Sequence, residues 1–306
     1  MKRKGLDVDG VLLLDKPYAM TSNAALQTAR RLFNAKKAGH TGTLDPLASG
    51  LLPLTFGEAT KFSADLLHAD KTYVAGIKLG QTTTTGDLEG DFVTTRPVNV
   101  DRVKIEAVLE RFRGEIEQIP PMFSALKRDG KTLYDLAREG VSIEREARLV
   151  RIEKLEMLSF EEELLTVEVT CSKGTYIRVL AEDIGEALGC GAHLASLRRI
   201  AVGTLTIDSS VTLQALQSMT DSERLKALKP LDALMQTLPA VHLSESDRVR
   251  FCHGQRLALA LQSSPRVRVY GPDGQMVGTA RVNERGVLEP ERLIANKKDI
   301  EATNDD

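Results

Sequence analysis

Apolar and polar positions along the chain follow two different periods. Val11 to Leu14 is a short continuous apolar run, which is typical of a buried strand. Lys71 to Leu79 alternates apolar and polar residues instead, as a half-buried strand does, and places Tyr73 on the apolar face. Three later stretches also have strand character: residues 149–160, 164–171 and 194–207.

Helical spacing dominates between these strands. Thr21 or Ser22 can cap a helix whose apolar stripe continues to Phe33. Asp101 can cap a second helix, and Gly189 is a residue of the kind that ends helices. The predicted helices occupy about 21–33, 58–67, 101–112, 132–139 and 177–188, and several short ones fill about 211–238.

The segment from Gly39 to Gly50 interrupts both periods. Three glycines and a proline in twelve residues are expected to rule out a regular helix or a central strand, so a shaped loop is predicted. This loop contains His40 and Asp45, and the apolar run 51–54 that follows it is expected to pack in the core. The threonine-rich stretch from Gln81 to Asp91 predicts a second polar loop.

At Pro239 the sequence pattern changes from short helices to short strands separated by turns, which divides the chain into two predicted domains. Residues 1–238 form the larger one, with a basic excursion at about 121–149 that is predicted to be a mobile arm built on an Asp129-Gly130 hairpin turn. Residues 239–296 predict a small β module with strands around 266–270, 275–282 and 286–294. The tail 297–306 is polar and is expected to be disordered.

Composition indicates an ordinary soluble protein. A length of 306 residues suits two domains, with 42% hydrophobic and 27% charged residues. Asp15-Lys16-Pro17 stops the first apolar run, so neither a signal peptide nor a membrane span is expected. The three cysteines are widely separated, which suggests reduced thiols in a cytoplasmic protein.

Net charge is −2, but its distribution is uneven. Residues 1–60 carry eight Lys or Arg against five Asp or Glu, and residues 121–151 carry seven against five, while six Glu fall within 153–168. A basic face for nucleic acid can therefore coexist with a neutral total. Evenly solvated charge explains the same counts equally well.

Several chemistries can be set aside on sequence grounds. A P-loop would end in Gly-Lys-Ser/Thr, and Gly50 is followed by two leucines. The five histidines are scattered without zinc spacing, and no dinucleotide-binding glycine pattern follows a strand. A cofactor-free enzyme or a binding protein remains.

Asp45 has no neighbouring carboxylate with which to form an acid–base pair. An ionised carboxylate can act alone as a nucleophile where a cation stabilises it, and Arg178 is a candidate for that cation. Composition alone favours a different interpretation of Asp45, as part of an ordinary Asp-Pro turn. Spacing alone favours core packing for Tyr73 and Tyr176.

The segment Gly39-His40-Thr41-Gly42-Thr43-Leu44-Asp45-Pro46-Leu47-Ala48-Ser49-Gly50 resembles the catalytic loop of the TruB family of tRNA pseudouridine synthases. Further matches follow the family's order over about residues 10–205: Gly10 to Pro17, Gly57 to Lys61, Asp70 to Tyr73, Gln118 to Lys127, Ser172 to Arg178, Cys190 to Leu194 and Leu197 to Arg199.

The resemblance implies an α+β fold, with a central mixed or antiparallel sheet flanked by helices. It also implies that uridine at position 55 in the T-arm loop of tRNA is isomerised to pseudouridine without a cofactor or metal. The C-terminal module resembles, more weakly, a PUA-type RNA-binding barrel.

The resemblance also implies roles for individual residues. Asp45 matches the catalytic nucleophile, Tyr73 matches the tyrosine that stacks on the target base and assists proton removal, and Arg178 matches the arginine paired with the carboxylate. Four more positions match substrate-binding or supporting residues: Tyr176 and Leu197 in the uracil pocket, His40 in the gap left by the flipped base, and Lys16 beneath the site.

The implied partner is tRNA, with no guide RNA and no membrane, and a monomer is expected. Phosphate contacts are expected from the arm at 121–151 and from the seven arginines between 248 and 285. Two alternatives stay open. One is a dyskerin-like synthase that uses a guide RNA, and the other is an RNA-binding or tRNA-folding protein, which the resemblance makes a second role of the enzyme rather than a rival to it.

Overall fold

A ten-stranded sheet and a separate five-stranded sheet organise the protein in a computed structural model, which describes residues 5–124, 126–128, 130–141 and 143–295. The predicted tail 297–306 and the turn residue Asp129 lie outside these described residues.

The strands are, in chain order, β1 (Gly10–Lys16), β2 (Ala38–His40), β3 (Ala48–Phe56), β4 (Lys71–Leu79), β5 (Gln81–Thr83), β6 (Phe92–Thr95), β7 (Gly114–Gln118), β8 (Lys127–Arg128), β9 (Lys131–Thr132), β10 (Arg148–Glu161), β11 (Leu164–Cys171), β12 (Ala192–Val202), β13 (Leu205–Thr206), β14 (Val211–Thr212), β15 (Ala240–His242), β16 (Leu257–Ala258), β17 (Ser264–Tyr270), β18 (Met276–Val282) and β19 (Val287–Leu293).

The α-helices are α1 (Ser22–Leu32), α2 (Ser63–Leu67), α3 (Arg102–Glu110), α4 (Leu133–Arg138), α5 (Ile177–Leu188), α6 (Leu213–Ser218), α7 (Asp221–Lys226) and α8 (Glu245–Cys252), and 3-10 turns occupy Gly57–Phe62, Ile207–Ser209 and Leu231–Leu234. None of the helices in the described part of the chain is long and apolar enough to cross a membrane.

The large sheet has the order β14-β1-β3-β12-β4-β11-β10-β7, with β2 paired to β3 and β13 paired to β12. Its β1–β14 and β3–β12 pairs are parallel, whereas its other pairs are antiparallel. The sheet is therefore mixed. Helices and a C-terminal β module accompany it, so the predicted α+β fold is confirmed.

Several predicted elements form for the predicted reasons. The strand over Lys71–Leu79 has the bounds read from its alternation. The side chains of Thr21 and Asp101 accept hydrogen bonds from the first turns of α1 and α3. Gly189 ends α5 in the left-handed conformation at φ 85°.

The prediction that residues 39–50 could not enter a central strand is wrong at its C-terminal end, because β3 begins at Ala48 and lies between β1 and β12. Gly50 is needed there, since a Cβ atom at this residue would lie 2.2 Å from the carbonyl oxygen of Arg199. Pro53 has no N–H to donate, and its position in β3 tolerates this. On this side of β3, residues 48–50 pair with β12 and residues 54–56 pair with β2, so Pro53 lies in the gap between the two partners.

Two other segments differ in detail from expectation. The single strand predicted over 194–207 divides at Gly203, whose φ of 54° turns the chain from β12 back into β13. The helix predicted over 58–67 begins as a 3-10 turn and becomes α-helical only at Ser63.

The C-terminal module is a five-stranded sheet with the order β15-β17-β18-β19-β16, packed around its own apolar cluster centred on Phe251. Strands β15 and β16 were not predicted. They are only three and two residues long, too short for a period to appear.

Candidate active site

The loop between β2 and β3 makes a β-turn at its tip. The amide of Ala48 donates to the carbonyl of Asp45 at 3.0 Å, which places Asp45 first in the turn and Pro46 second. The structure therefore contains the ordinary Asp-Pro turn that composition predicted at Asp45-Pro46. The carboxylate at the first position is about half exposed, with 49% of the side chain accessible.

Two segments anchor this turn from the N-terminal part of the chain. The buried hydroxyl of Ser22 bonds both the amide and the carbonyl of Leu44, at 2.7 and 2.9 Å. The amide of Ala19 donates to the carbonyl of Pro46 at 2.9 Å. The residues on both sides of Asp45 are therefore fixed, which fixes the direction of its side chain.

Arg178 connects Asp45 to the interior. Its Nη2 lies 3.1 Å from Asp45 Oδ2, and its Nη1 lies 3.4 Å from Oδ2 of the buried Asp87. The guanidinium also donates to the carbonyls of Thr85 and Phe123, at 3.3 and 2.7 Å. A nearly buried arginine with four oxygen partners is well compensated and holds its position rigidly.

A cavity of about 260 Å³ opens beside this ion pair. Four of the predicted residues line it together with Asp45: Tyr73, Tyr176, Arg178 and Leu197. The fold therefore brings five of the seven predicted site residues to one place.

Sheet register and one amide side chain position the walls of the cavity. Leu197 pairs with Ala48 of β3 on one side and Ala75 of β4 on the other. Tyr176 precedes α5, and its backbone is held by the buried Gln118, which accepts from its amide at 3.0 Å and donates to its carbonyl at 3.3 Å.

Arg199 is one of the cavity residues that received no role in the sequence analysis. It is almost fully buried, lines the cavity and donates from Nε to the carbonyl of Leu51 at 2.7 Å. It lies opposite Tyr73 in the sheet. Burial raises the pKa of the Tyr73 phenol, and the guanidinium of Arg199 opposes this rise.

Lys16 and His40 do not line the cavity. Lys16 is buried, with its ammonium group donating to the carbonyls of Pro17 and Met20 at 2.9 and 2.5 Å. Burial lowers the pKa of Lys16 to about 8, although the negative charge of Asp45 acts in the opposite direction. Burial, with a further contribution from Arg199, also lowers the pKa of His40, so its imidazole is neutral at pH 7.

Alternation could have identified two of the missed residues. Lys71 shares a strand face with Tyr73, and Arg199 shares one with Leu197, because side chains two apart on a strand point the same way. Both cations line the cavity. Asp87 had no such signal, since it lies in an aperiodic loop. In the described part of the chain no group of His, Cys, Asp or Glu is suited to hold a metal ion.

Comparison with known proteins identifies the family. Residues 30–177 match the N-terminal domain of TruB family pseudouridylate synthase, residues 178–236 the tRNA pseudouridylate synthase B C-terminal domain, and residues 239–294 the pseudouridine synthase II TruB C-terminal domain. A Burkholderia mallei (strain NCTC 10247) protein named tRNA pseudouridine synthase B is 59% identical in an alignment covering 96% of this chain and 99% of that protein. The chain belongs to the TruB family.

Other members and neighbours agree with this assignment. A tRNA pseudouridine synthase B of Dechloromonas aromatica (strain RCB) is 56% identical, covering 96% of this chain and 98% of that protein. Among solved structures, a chain of a Cbf5-Nop10-Gar1 complex is 28% identical with a TM-score of 0.72, covering 94% of this chain and 86% of that chain. The TruB resemblance read from the motifs is thus confirmed.

Proposed function

We propose that this protein isomerises uridine to pseudouridine at position 55 in the T-arm loop of tRNA, alone and without a cofactor. The observation that carries the proposal is one half-exposed carboxylate, Asp45, held by a nearly buried arginine beside a small cavity. At about 260 Å³ the cavity is slightly smaller than the range of about 300–1,000 Å³ typical of ligand clefts, which suits a single base. Relatives named tRNA pseudouridine synthase B support tRNA as the substrate.

Asp45 is the nucleophile in this proposal. It attacks the ribose C1′ and displaces uracil through N1, or it adds to the uracil ring and so weakens the C1′–N1 bond until that bond breaks. The freed base turns, C5 bonds to C1′ as the carboxylate is released, and the proton lost from C5 is balanced by one gained at N1, a transfer that Tyr73 assists. Arg178 orients the carboxylate and balances its charge, and Asp87 in turn fixes Arg178. Lys16 supports the site from below as a buried cation whose charge faces Asp45.

The target base must leave its stack to reach this cavity. Tyr73 stacks on it, while Tyr176 and Leu197 form another part of the wall. Unstacking costs a few kcal/mol, and stacking on one aromatic ring returns about 1–3 kcal/mol. The neutral imidazole of His40 fills the gap left in the RNA without desolvating a charge.

Polar atoms for the edge of the base are also present. Thr41 Oγ1, Ser124 Oγ and Arg199 Nη2 are buried, belong to cavity-lining residues and have no hydrogen-bond partner among the described residues. A uracil ring offers two carbonyl oxygens and one N–H. These atoms supply complementary donors and an acceptor, so binding of the base would satisfy them.

Phosphate contacts supply the remaining binding energy, and the arm carries most of them in this proposal. Arg148 at the base of the arm is exposed and has no ion-pair partner among the residues that the structure describes. Six of the seven arginines between 248 and 285 instead lie within 4 Å of a carboxylate. The module therefore offers RNA less free positive charge than its sequence indicates.

The protein acts in this proposal as a cytoplasmic monomer without a guide RNA. Its buried thiols, Cys171 and Cys190, are unpaired, which suits a reducing compartment. The solved Cbf5-Nop10-Gar1 neighbour includes further proteins, but relatives of 56–59% identity carry the tRNA name.

Incubation of unmodified tRNA with the purified protein, and no guide RNA, tests the proposal. We expect pseudouridine at position 55, mapped by carbodiimide-dependent stops in reverse transcription. Asp45→Asn should reduce the single-turnover rate by about 10⁴-fold or more, as loss of a nucleophile does, and leave tRNA affinity largely intact. Asp101→Asn is the matched control, because asparagine caps a helix as well as aspartate does. A product only in the presence of guide RNA, or near-normal turnover by Asp45→Asn, would refute the proposal.

A further inference from the structure

The segment from Gly57 to Leu67, a 3-10 turn continued by α2, lies between the C-terminal module and the cavity. On the module side, Asp65 of α2 forms an ion pair with Arg266 of β17, and both side chains are largely buried, at 12% and 24% exposed. A second carboxylate, Glu291, also lies close to Arg266: its Oε2 is 2.6 Å from Arg266 Nε, although the pair lacks hydrogen-bond geometry.

Other contacts join the module to the same segment. Lys61 donates to the carbonyl of Leu293 at 2.9 Å, and Glu58 accepts from the amide of Ala295 at 2.8 Å. Met276 and Ile294 of the module pack against the core cluster that contains Phe62 and Leu66. The segment is therefore bound to the module by an ion pair, by hydrogen bonds between its side chains and backbone groups of the module, and by apolar contact.

The opposite end of α2 is part of the cavity. Leu67 and Lys71 line it, and the Lys71 ammonium closes the end of α2 by donating to the carbonyls of Leu66, Leu67 and Ala69 at 3.3, 2.9 and 2.5 Å. His68 Nδ1 lies 2.5 Å from the Nζ of Lys173, another lining residue. Any displacement of α2 would thus move two parts of the wall.

We propose that Arg266 is a positioning residue for the uridine cavity: through Asp65, the docked module fixes α2 and with it the wall formed by Leu67, Lys71 and Lys173. The role of the module is then to support the chemical step as well as to contact RNA. This inference rests on the proposed function, because its readout is pseudouridine formation. Arg268 and Tyr270 bind Asp232, and Arg268 also donates to the carbonyl of Leu238. Both partners lie in the segment that leads into the module and not in α2, so these two residues do not serve the same purpose.

The test uses the full-length protein with Arg266→Asp, Asp65→Arg and the double exchange. At saturating enzyme we expect each single variant to lose about tenfold or more in single-turnover rate, since a shift of about 1 Å in a site can cost on the order of 100-fold. The tRNA dissociation constant should change less than the rate. The double exchange should restore most of the rate, because it restores an ion pair of reversed polarity at the same place.

Lys154→Glu is the matched control. Lys154 also links two elements, pairing with Glu168 across β10 and β11, and its charge reversal lies outside the cavity wall. We expect its rate to match that of the unchanged protein. Thermal unfolding of every variant shows whether it is folded at the assay temperature. If a single variant is unfolded at that temperature, it is replaced by Arg266→Lys, which keeps the positive charge but lacks the planar guanidinium group.

Loss of tRNA affinity with an unchanged chemical rate would overturn the inference, and so would failure of the folded double exchange to recover the rate. If the unchanged protein itself produced no pseudouridine, the proposed function would fail instead. The two failures are therefore distinguishable in one set of assays.

Discussion

Tyr73 contributes both a ring and a hydroxyl group to the cavity, and one substitution separates them. Tyr73→Phe keeps the ring for the proposed stacking on the base but removes the hydroxyl group, to which the proposal assigns proton transfer, beside Arg199. We expect the single-turnover rate to fall by about 10²–10⁴-fold, the usual contribution of a positioned acid or base, with little change in tRNA affinity. Tyr18→Phe, an exposed tyrosine, is the control. An unchanged rate would mean that stacking alone accounts for the role of Tyr73.

Ala19 adopts a backbone conformation that suits glycine better than alanine. Its φ is 58°, and its amide donates to the carbonyl of Pro46, the residue that follows Asp45. A left-handed residue with a Cβ costs about 1–2 kcal/mol, whereas glycine loses about 0.4–1 kcal/mol more backbone entropy on folding than alanine. Because Ala19 is exposed, Ala19→Gly removes no packing and should raise the free energy of unfolding by about 0.5–1 kcal/mol.

Chemical denaturation of Ala19→Gly and Ala107→Gly together checks this expectation. Ala107 is an exposed residue inside α3, so glycine there should lower the free energy of unfolding by about 1 kcal/mol. Opposite signs for the two variants are the expected result. A loss of stability in both would show that the left-handed conformation of Ala19 carries no cost.

At the scale of an element, Lys71 links the stability of α2 to pH. Burial lowers the pKa of Lys71 from 10.5 to about 8, with Arg199 adding to the effect. Between these values the unfolded chain binds the proton that the folded protein has released. The contribution of Lys71 to the free energy of unfolding therefore rises with pH in this range, by at most about 1.4 kcal/mol per pH unit.

Lys71→Met removes this contribution. Relative to the unchanged protein, the variant should become progressively less stable between pH 8 and pH 9.5, measured by urea denaturation at each pH. Below pH 8 the difference between the two proteins should be constant. Parallel stability profiles across the whole range would contradict the lowered pKa.

Elements with a clear period could be predicted from the sequence, and those fixed by distant contacts could not. β4 and α5 have strong alternation or helical spacing and clear end signals, so their bounds follow directly. β3 contains a glycine and a proline, which the sequence alone does not reconcile with a central strand. At Gly50 the backbone of Arg199 packs too closely for a Cβ atom, and at Pro53 no neighbouring strand requires an N–H donor. Such requirements belong to strands that are far away in sequence.

The same division holds for the candidate site. Five of the seven residues that the motifs indicated lie at one cavity, although spacing by itself left Asp45 as a turn residue and both tyrosines as core residues. Asp87 escaped notice because its partner, Arg178, is 91 positions away. A buried ion pair is a property of the folded chain, and nothing in the sequence distinguishes Asp87 from the other two carboxylates of the threonine-rich loop, Glu89 and Asp91.

At the scale of the whole molecule, the arrangement of charge separates the arm from the module. Each phosphate contact that a cation makes adds about one unit to the slope of log affinity against log salt concentration. Arg148 is exposed with no ion-pair partner among the described residues, so Arg148→Ala should weaken tRNA binding and lower this slope by about one. Arg281 in the module is already paired with Glu289, so Arg281→Ala should leave the slope nearly unchanged.

Binding of tRNA by both variants at four or more salt concentrations distinguishes the two surfaces. The comparison is matched, because each variant removes one exposed arginine from the end or middle of a strand in the same full-length protein. If Arg281→Ala lowered the slope as much as Arg148→Ala does, RNA would have to displace the carboxylate of Glu289, and the module would bind phosphate directly. The expected result would instead assign most of the phosphate contacts to the arm. The paired arginines of the module would then stabilise the strands of the module and, through Arg266, the wall of the proposed active site.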